Sequence, residues 1–170
     1  MSRSRKCNSC NEQKAIQEGR IVNGKFLCNS CLFEGGQPLC FYPIGKIHNS
    51  LKRGRSFHLK GDRGQVSEVK LFKSQKPFLY KLEDEKHITI VYYAHDQQEI
   101  STTFRRGLDG KKVGVYASRT PFRLNPISIT ECKLVKVEGT SLFVRGLDAI
   151  NGSLVLDIKL GRKAIEKVRK

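Results

Sequence analysis

From Leu39 onward the chain reads as short apolar runs parted by glycine, proline and asparagine turns. Leu39–Ile47 is apolar and rich in β-formers. Val66–Phe72 alternates with period two, Ile88–Ala94 is a near-continuous apolar run as in a buried strand, and Val113–Ala117 is a shorter one. Ile127–Val137, Ser141–Leu147 and Leu154–Ile158 alternate again. Period-two alternation turns one strand face to a core and the other to water. Glu138-Gly139 and Asn151-Gly152 suit two-residue hairpins. Helical periodicity is nearly absent before the C-terminal tail. Many short strands with glycine turns predict an all-β fold, a barrel or a sandwich.

The first 38 residues follow another rule. Cys7, Cys10, Cys28 and Cys31 are spaced C-x2-C-x17-C-x2-C, inside the zinc-site template. Each C-x2-C pair fits one tight turn, and two turns complete a tetrahedron of four thiolates around Zn2+. All four positions are then filled by protein, which makes the role structural. Asn23-Gly24 predicts a short hairpin before the second pair, as in a zinc ribbon. A span this short buries no core of its own, so the metal supplies most of its folding energy. Cys40 and Cys132 stand alone in apolar surroundings and read as small core residues.

Charge narrows the partners. Lys and Arg number 32 against 16 Asp and Glu, a net charge of +16, which favours RNA, DNA or an anionic surface. No run approaches the roughly 18 apolar residues of a membrane helix, and the polar, basic start MSRSRKCNSC is not a secretory signal. A reducing, cytoplasmic setting is expected, where cysteines serve metals more often than disulfides. Residues 48–65 form a long basic loop carrying Lys52, Arg53, Arg55, Lys60 and Arg63. It is either a solvated loop or a phosphate-contacting one, with Phe57 and His58 available to stack on bases. The tail from residue 161 is basic, and adds salt-sensitive attraction to nucleic acid.

The most unusual stretch is Val113–Ile129, VGVYASRTPFRLNPISI. Composition alone makes it a connection stiffened by Pro121 and Pro126. Its residues Gly114-Val115-Tyr116-Ala117-Ser118-Arg119, then Arg123-Leu124-Asn125-Pro126-Ile127, resemble the signature of the TrmO/TsaA/VirR-like family of tRNA methyltransferases, Gly-Val-Phe-Ala-Thr-Arg-x-x-x-Arg-Pro-Asn-Pro-Ile-Gly. Three further segments fit in order: Pro43–His48, Leu82–Asp96 and Leu147–Lys159. The resemblance spans roughly residues 41–160. The chain departs from the pattern at Leu124 for Pro, Ser128 for Gly, Lys86-His87 for Ser-His, and Asn151 and Ser153-Leu154 for Asp and Thr-Pro. The family's Pro-Arg-Gln-Pro element is not recognisable in residues 52–65.

The resemblance implies a small antiparallel β-barrel over residues 39–160, preceded by the four-cysteine zinc-ribbon module of residues 1–38. It also implies S-adenosylmethionine as methyl donor, N6 of threonylcarbamoyladenosine beside the anticodon as target, tRNA as partner, and a homodimer. Methyl transfer is mostly a matter of holding the sulfonium in line with a nucleophile. Carried over, the cofactor shell is Ala94, His95, Arg119, Ile129, Asp148, Ala149, Ile150 and Asn151. Asp148 is the best candidate for a ribose or sulfonium contact, against a turn-capping role. His95 is a rim residue or a base. Asp157, on a strand, needs a partner such as Arg119 or Arg123. Arg123, Asn125, Lys52, Arg53 and Arg55 would meet the RNA. No residue stands out as a general base. Two rivals remain: a catalytically silent RNA-binding barrel, and a module whose ribbon docks onto a protein or ribosomal partner.

Overall fold

The computed structural model describes residues 3–52, 65–96 and 100–162. In chain order, β1 is Ser4–Lys6, β2 Gln13–Ala15, β3 Gly19–Val22 and β4 Lys25–Cys28, followed by the short helix α1 Asn29–Phe33. β5 is Gly45–His48, β6 Val66–Leu71, β7 His87–Tyr93, β8 Thr103–Arg105 and β9 Lys112–Gly114. β10 is Ile127–Glu138, β11 Ser141–Arg145 and β12 Leu154–Leu160. The chain divides into two compact units, residues 1–40 with 97–126, and residues 41–96 with 127–170.

The second unit is a closed barrel in the order β10-β11-β6-β5-β12-β7. Every neighbouring pair is antiparallel, and closure leaves no unpaired edge. Ile47, Val69, Ile88, Ile90, Leu142, Val144 and Val155 are fully buried inside it. Two bulges keep polar residues off this core. In β10 the register shifts between Leu134 and Lys136. The extra residue, Val135, puts Val137 rather than Lys136 against the interior. In β12 the shift falls between Val155 and Asp157. Ile158 then packs inward, while Asp157 pairs on the outside with Lys159 at 2.6 Å. That ion pair, with the Ile158 backbone N–H, is the partner Asp157 needed.

Gly45 marks a close crossing. A Cβ there would lie 2.4 Å from the Lys70 carbonyl oxygen and 2.8 Å from Leu71 Cα. The backbone of β5 therefore passes β6 at a distance open only to glycine.

Several expected elements are corrected. Leu39–Ile44 is not a strand, and β5 starts only at Gly45. Pro38 and Pro43 lack ladder donors, and Leu39, Phe41 and Tyr42 are exposed. Cys40 is exposed rather than a core residue, whereas Cys132 is buried as expected. Val113–Ala117 is split: β9 ends at Gly114, and Val115–Ala117 is a 3-10 turn. Glu138 pairs with Ser141, so the hairpin residues are Gly139-Thr140, one step later than read. Gly139 has φ +62°, as the first residue of a II′ turn requires. Asn151-Gly152 is a turn but joins no hairpin, because β12 pairs with β5 and β7 rather than β11.

In the first unit β3 and β4 form a hairpin with Val22 opposite Lys25. Asn23 (φ +48°) and Gly24 (φ +76°) make its turn, the positive-φ pair a type I′ hairpin demands. β1 pairs with β2 and β8 with β9. A parallel bridge joins Val22 to Ile100.

Candidate functional sites

The four cysteine sulfurs lie within 4.8 Å of one another. Cys7 Sγ is 3.9 Å from Cys31 Sγ, and Cys10 Sγ is 3.8 Å from Cys28 Sγ. Four sulfurs at about 2.3 Å from one Zn2+ form a tetrahedron with edges of about 3.8 Å, so the donor set fits the ion. The spacing is far beyond the roughly 2.05 Å of a disulfide. Backbone N–H groups favour the thiolate form. Cys28 N donates to Cys7 Sγ at 3.3 Å and Ser9 N at 3.4 Å. Led by the Cys28 amide, these contacts draw the Cys7 thiol down to about 6.

A second polar cluster occupies one end of the barrel, where β7 ends, β10 begins, and the β11–β12 connection runs. The Asp148 carboxylate receives the Tyr92 hydroxyl at 2.9 Å and the Thr130 hydroxyl, both on Oδ1. Among the described residues, Oδ2 has no hydrogen-bond partner, and Asp148 is exposed. The carboxylate is therefore oriented by two side-chain hydroxyls, and among the described residues no backbone N–H donates to it as in a turn cap. Burial pushes the Tyr92 phenol well above its ordinary range, helped by the Asp148 charge. Burial likewise pushes the Cys132 thiol up to about 12, so it is not a nucleophile at neutral pH.

Asn49 organises the next stretch of the rim. Its Nδ2 donates to the Ala149 carbonyl at 2.9 Å and to Ser67 Oγ at 3.1 Å. Its Oδ1 accepts from Leu51 N, and its own backbone N–H donates to Asn151 Oδ1. Ala149 is buried, Ile150 half-buried and Asn151 exposed. His95 is exposed and meets the buried Ser153 hydroxyl at 3.4 Å. Its ring also lies 3.9 Å from where a Cβ on Gly152 would sit. His95 is therefore placed at the rim. Ala94 is half-buried at the end of β7.

Asp148, Ala149, Ile150, Asn151, Ala94 and His95 are thus brought to one barrel end. Ile129 is not among the inward groups. It alternates with Thr130, sits opposite Val91 and is 57% exposed on the outer face. Sequence reasoning missed Tyr92, Thr130 and Asn49. The first two were legible by counting in twos from the buried Ile90 and Cys132. Asn49 carried no signal, because its long-range partners come from two distant segments, Ser67 and residues 149–151.

The signature segment up to Pro126 lies in the other unit. Arg123 Nε donates to the Thr120 carbonyl at 2.8 Å, and Nη2 to the carbonyls of Val115 at 2.9 Å and Ser118. The guanidinium also stands 5.7 Å from the centre of the Tyr116 ring. Arg123 staples the loop. Arg119 and Asn125 are exposed, and Arg119 has no hydrogen bond or ion pair among the described residues. Lys52 is exposed at the edge of the basic loop, while Arg53, Arg55 and the tail from 163 lie outside the described residues.

A closed six-stranded antiparallel barrel with a carboxylate-bearing polar rim, joined to a four-thiolate ribbon, defines a small all-β protein of the barrel class. Residues 58–162 match the family described as tRNA-methyltransferase O N-terminal domain. The chain belongs to this family, TrmO. A probable S-adenosyl-L-methionine-binding protein of Pyrococcus abyssi is 31% identical over 123 residues, 71% of this chain and 67% of that one. An S-adenosyl-L-methionine-binding protein of Archaeoglobus fulgidus is 31% identical over 118 residues, 69% of this chain and 85% of that one. The human tRNA (adenine(37)-N6)-methyltransferase is 37% identical over 93 residues, but this chain spans only 21% of its length. TrmO from Pseudomonas aeruginosa superposes with TM-score 0.58 at 23% identity, over 73% of this chain and 56% of that one. That likeness is one of fold. Among the described residues, no helix is long and apolar enough to cross a membrane.

Proposed function

We propose that this protein is an S-adenosylmethionine-dependent tRNA methyltransferase acting on N6 of the threonylcarbamoyladenosine beside the anticodon. The observation that carries the reading is the Asp148 carboxylate, oriented by Tyr92 and Thr130 with its second oxygen unengaged among the described residues, in a chain of the TrmO family. S-adenosylmethionine, when bound, supplies an electrophilic methyl group on a cationic sulfur. Asp148 would hold a ribose hydroxyl or face that positive charge. At residues 149–151 the Ala149 carbonyl is taken by Asn49, the Asn151 N–H by the Leu51 carbonyl and the Ile150 carbonyl by the Ser153 N–H; the Ile150 N–H and the Asn151 carbonyl would meet an adenine edge, with Ala94 and His95 beside them. Arg119, in the other unit, would bind an RNA phosphate. Lys52, Arg53, Arg55 and Asn125 would meet the tRNA, with Arg123 shaping the loop and offering Nη1. The four cysteines would hold a structural Zn2+. The homodimer and the cytoplasmic setting belong to the same reading.

Calorimetry of the zinc-replete protein with S-adenosylmethionine tests the cofactor, and methyl transfer to tRNA with and without the threonylcarbamoyl group tests the substrate. Binding with transfer only to modified tRNA is expected. Cofactor binding without transfer to either tRNA would sink the substrate assignment. No binding, alone or with tRNA, would leave the silent RNA-binding barrel in its place.

A further inference from the structure

We infer that the ribbon is the scaffold of the signature segment, and that Asn23 is the positioning residue joining the two. The functional half of this inference rests on the methyltransferase reading; the structural half does not. Asn23 opens the ribbon's I′ turn, where the backbone asks only for a residue that accepts positive φ. Glycine would satisfy that demand, so the carboxamide is surplus to the turn. Every part of it is nevertheless engaged by residues about eighty positions away. Asn23 Nδ2 donates to Thr102 Oγ1 at 2.7 Å. Its Oδ1 accepts the Thr102 backbone N–H at 3.0 Å and the Ser101 hydroxyl at 3.3 Å. The Asn23 backbone N–H donates to the Ile100 carbonyl at 2.9 Å, and Val22 bridges Ile100 alongside.

The connection continues without a gap. The Thr102 carbonyl accepts the Val115 N–H at 3.2 Å. Thr103 pairs with Gly114 as β8 meets β9. The Val115 carbonyl is one of the oxygens held by Arg123. At the other end, β4 finishes on the ligand Cys28, and Asn8 N–H donates to the Phe26 carbonyl at 2.8 Å, tying the first cysteine turn to the same hairpin. A short segment with two small strands cannot hold its own geometry. The ribbon hairpin, locked at its base by the four-thiolate cluster, supplies the anchor, and Arg119 projects from the loop so anchored.

The test compares Asn23→Gly and Asn23→Asp in the zinc-replete full chain. Glycine keeps the turn and removes the clamp. Aspartate keeps the Oδ1 acceptor and tolerates positive φ. Zinc content and far-UV spectrum are expected to match the parent in both. In Asn23→Gly, amide exchange at Thr102 and Val115 is expected to accelerate about tenfold, with Asn23→Asp returning most of the protection. With tRNA as substrate, Asn23→Gly is expected to raise KM and lower kcat together, as for a loosened positioning loop. Unchanged exchange at 101–103 and 115 in Asn23→Gly overturns the clamp. Accelerated exchange with unchanged kinetics overturns its functional role. A parent protein that methylates no tRNA would refute the enzymatic reading separately, and the exchange result would still decide the clamp.

Discussion

Replacing Tyr92 by Phe keeps the ring in the core and deletes the hydroxyl that aims Asp148. Tyr92 is 5% exposed and its hydroxyl donates to Asp148 Oδ1 at 2.9 Å. A hydrogen bond to a charged acceptor contributes about 1.5–3 kcal/mol when sheltered. Asp148 itself is exposed, so solvent screening reduces the figure to about 1 kcal/mol. Thr130 also donates to Oδ1 and leaves part of the orientation in place. The assay is a double-mutant cycle of Tyr92→Phe with Asp148→Ala, read by urea unfolding of the metal-replete protein. A coupling of about 1 kcal/mol is expected, equivalent to roughly 2–4 °C in Tm for a chain of this size. pH supplies an independent check. The Tyr92 phenol titrates above its ordinary range in the folded state. Its contribution is therefore fully present below about pH 10, the unfolded value, and is lost as pH rises toward the folded one. Tyr92→Phe should lack that alkaline loss. Additive single mutants, within about 0.3 kcal/mol, would refute the claim that these groups act together.

Four further outcomes follow from particular contacts. Gly45→Ala drives a Cβ to 2.4 Å from a backbone oxygen and should cost about 3 kcal/mol in chemical unfolding, since neither strand of a closed barrel can retreat. Arg123→Lys should fail to restore the loop that Arg123→Ala loosens, because one ammonium cannot span three carbonyls; proteolysis within 113–126 reads this. The protein should bind one equivalent of Zn2+, and Cys10→Ser should weaken that binding measurably by chelator competition. Leu142→Ala, at a fully buried site in β11, should cost about 2–5 kcal/mol.

Much of the barrel was readable from period-two alternation, because each strand has one face in the core. Val66–Phe72, Ile88–Ala94, Ile127–Val137 and Ser141–Leu147 all lie within two residues of β6, β7, β10 and β11. The alternation misled at Leu39–Ile44, where apolar residues stay exposed beside prolines. It was silent about the bulges at Val135 and Leu156, since a bulge is a relation between two strands.

What the sequence determined by itself is the chemistry held in short-range spacing. Two C-x2-C turns each close within four residues, so each pair of sulfurs follows from local geometry, as does the Asn23-Gly24 turn with its two positive φ angles; the ribbon then brings the pairs together. The tertiary structure alone decided which groups meet across long separations. Barrel closure seats β12 between β5 and β7, and this brings Asn49 to Ala149 and Tyr92 to Asp148. The ribbon's Asn23 reaches Thr102 only because the chain that leaves the barrel at residue 97 folds with the first 40 residues. Such contacts depend on how whole elements pack, and local propensity carries no information about which distant strand will arrive.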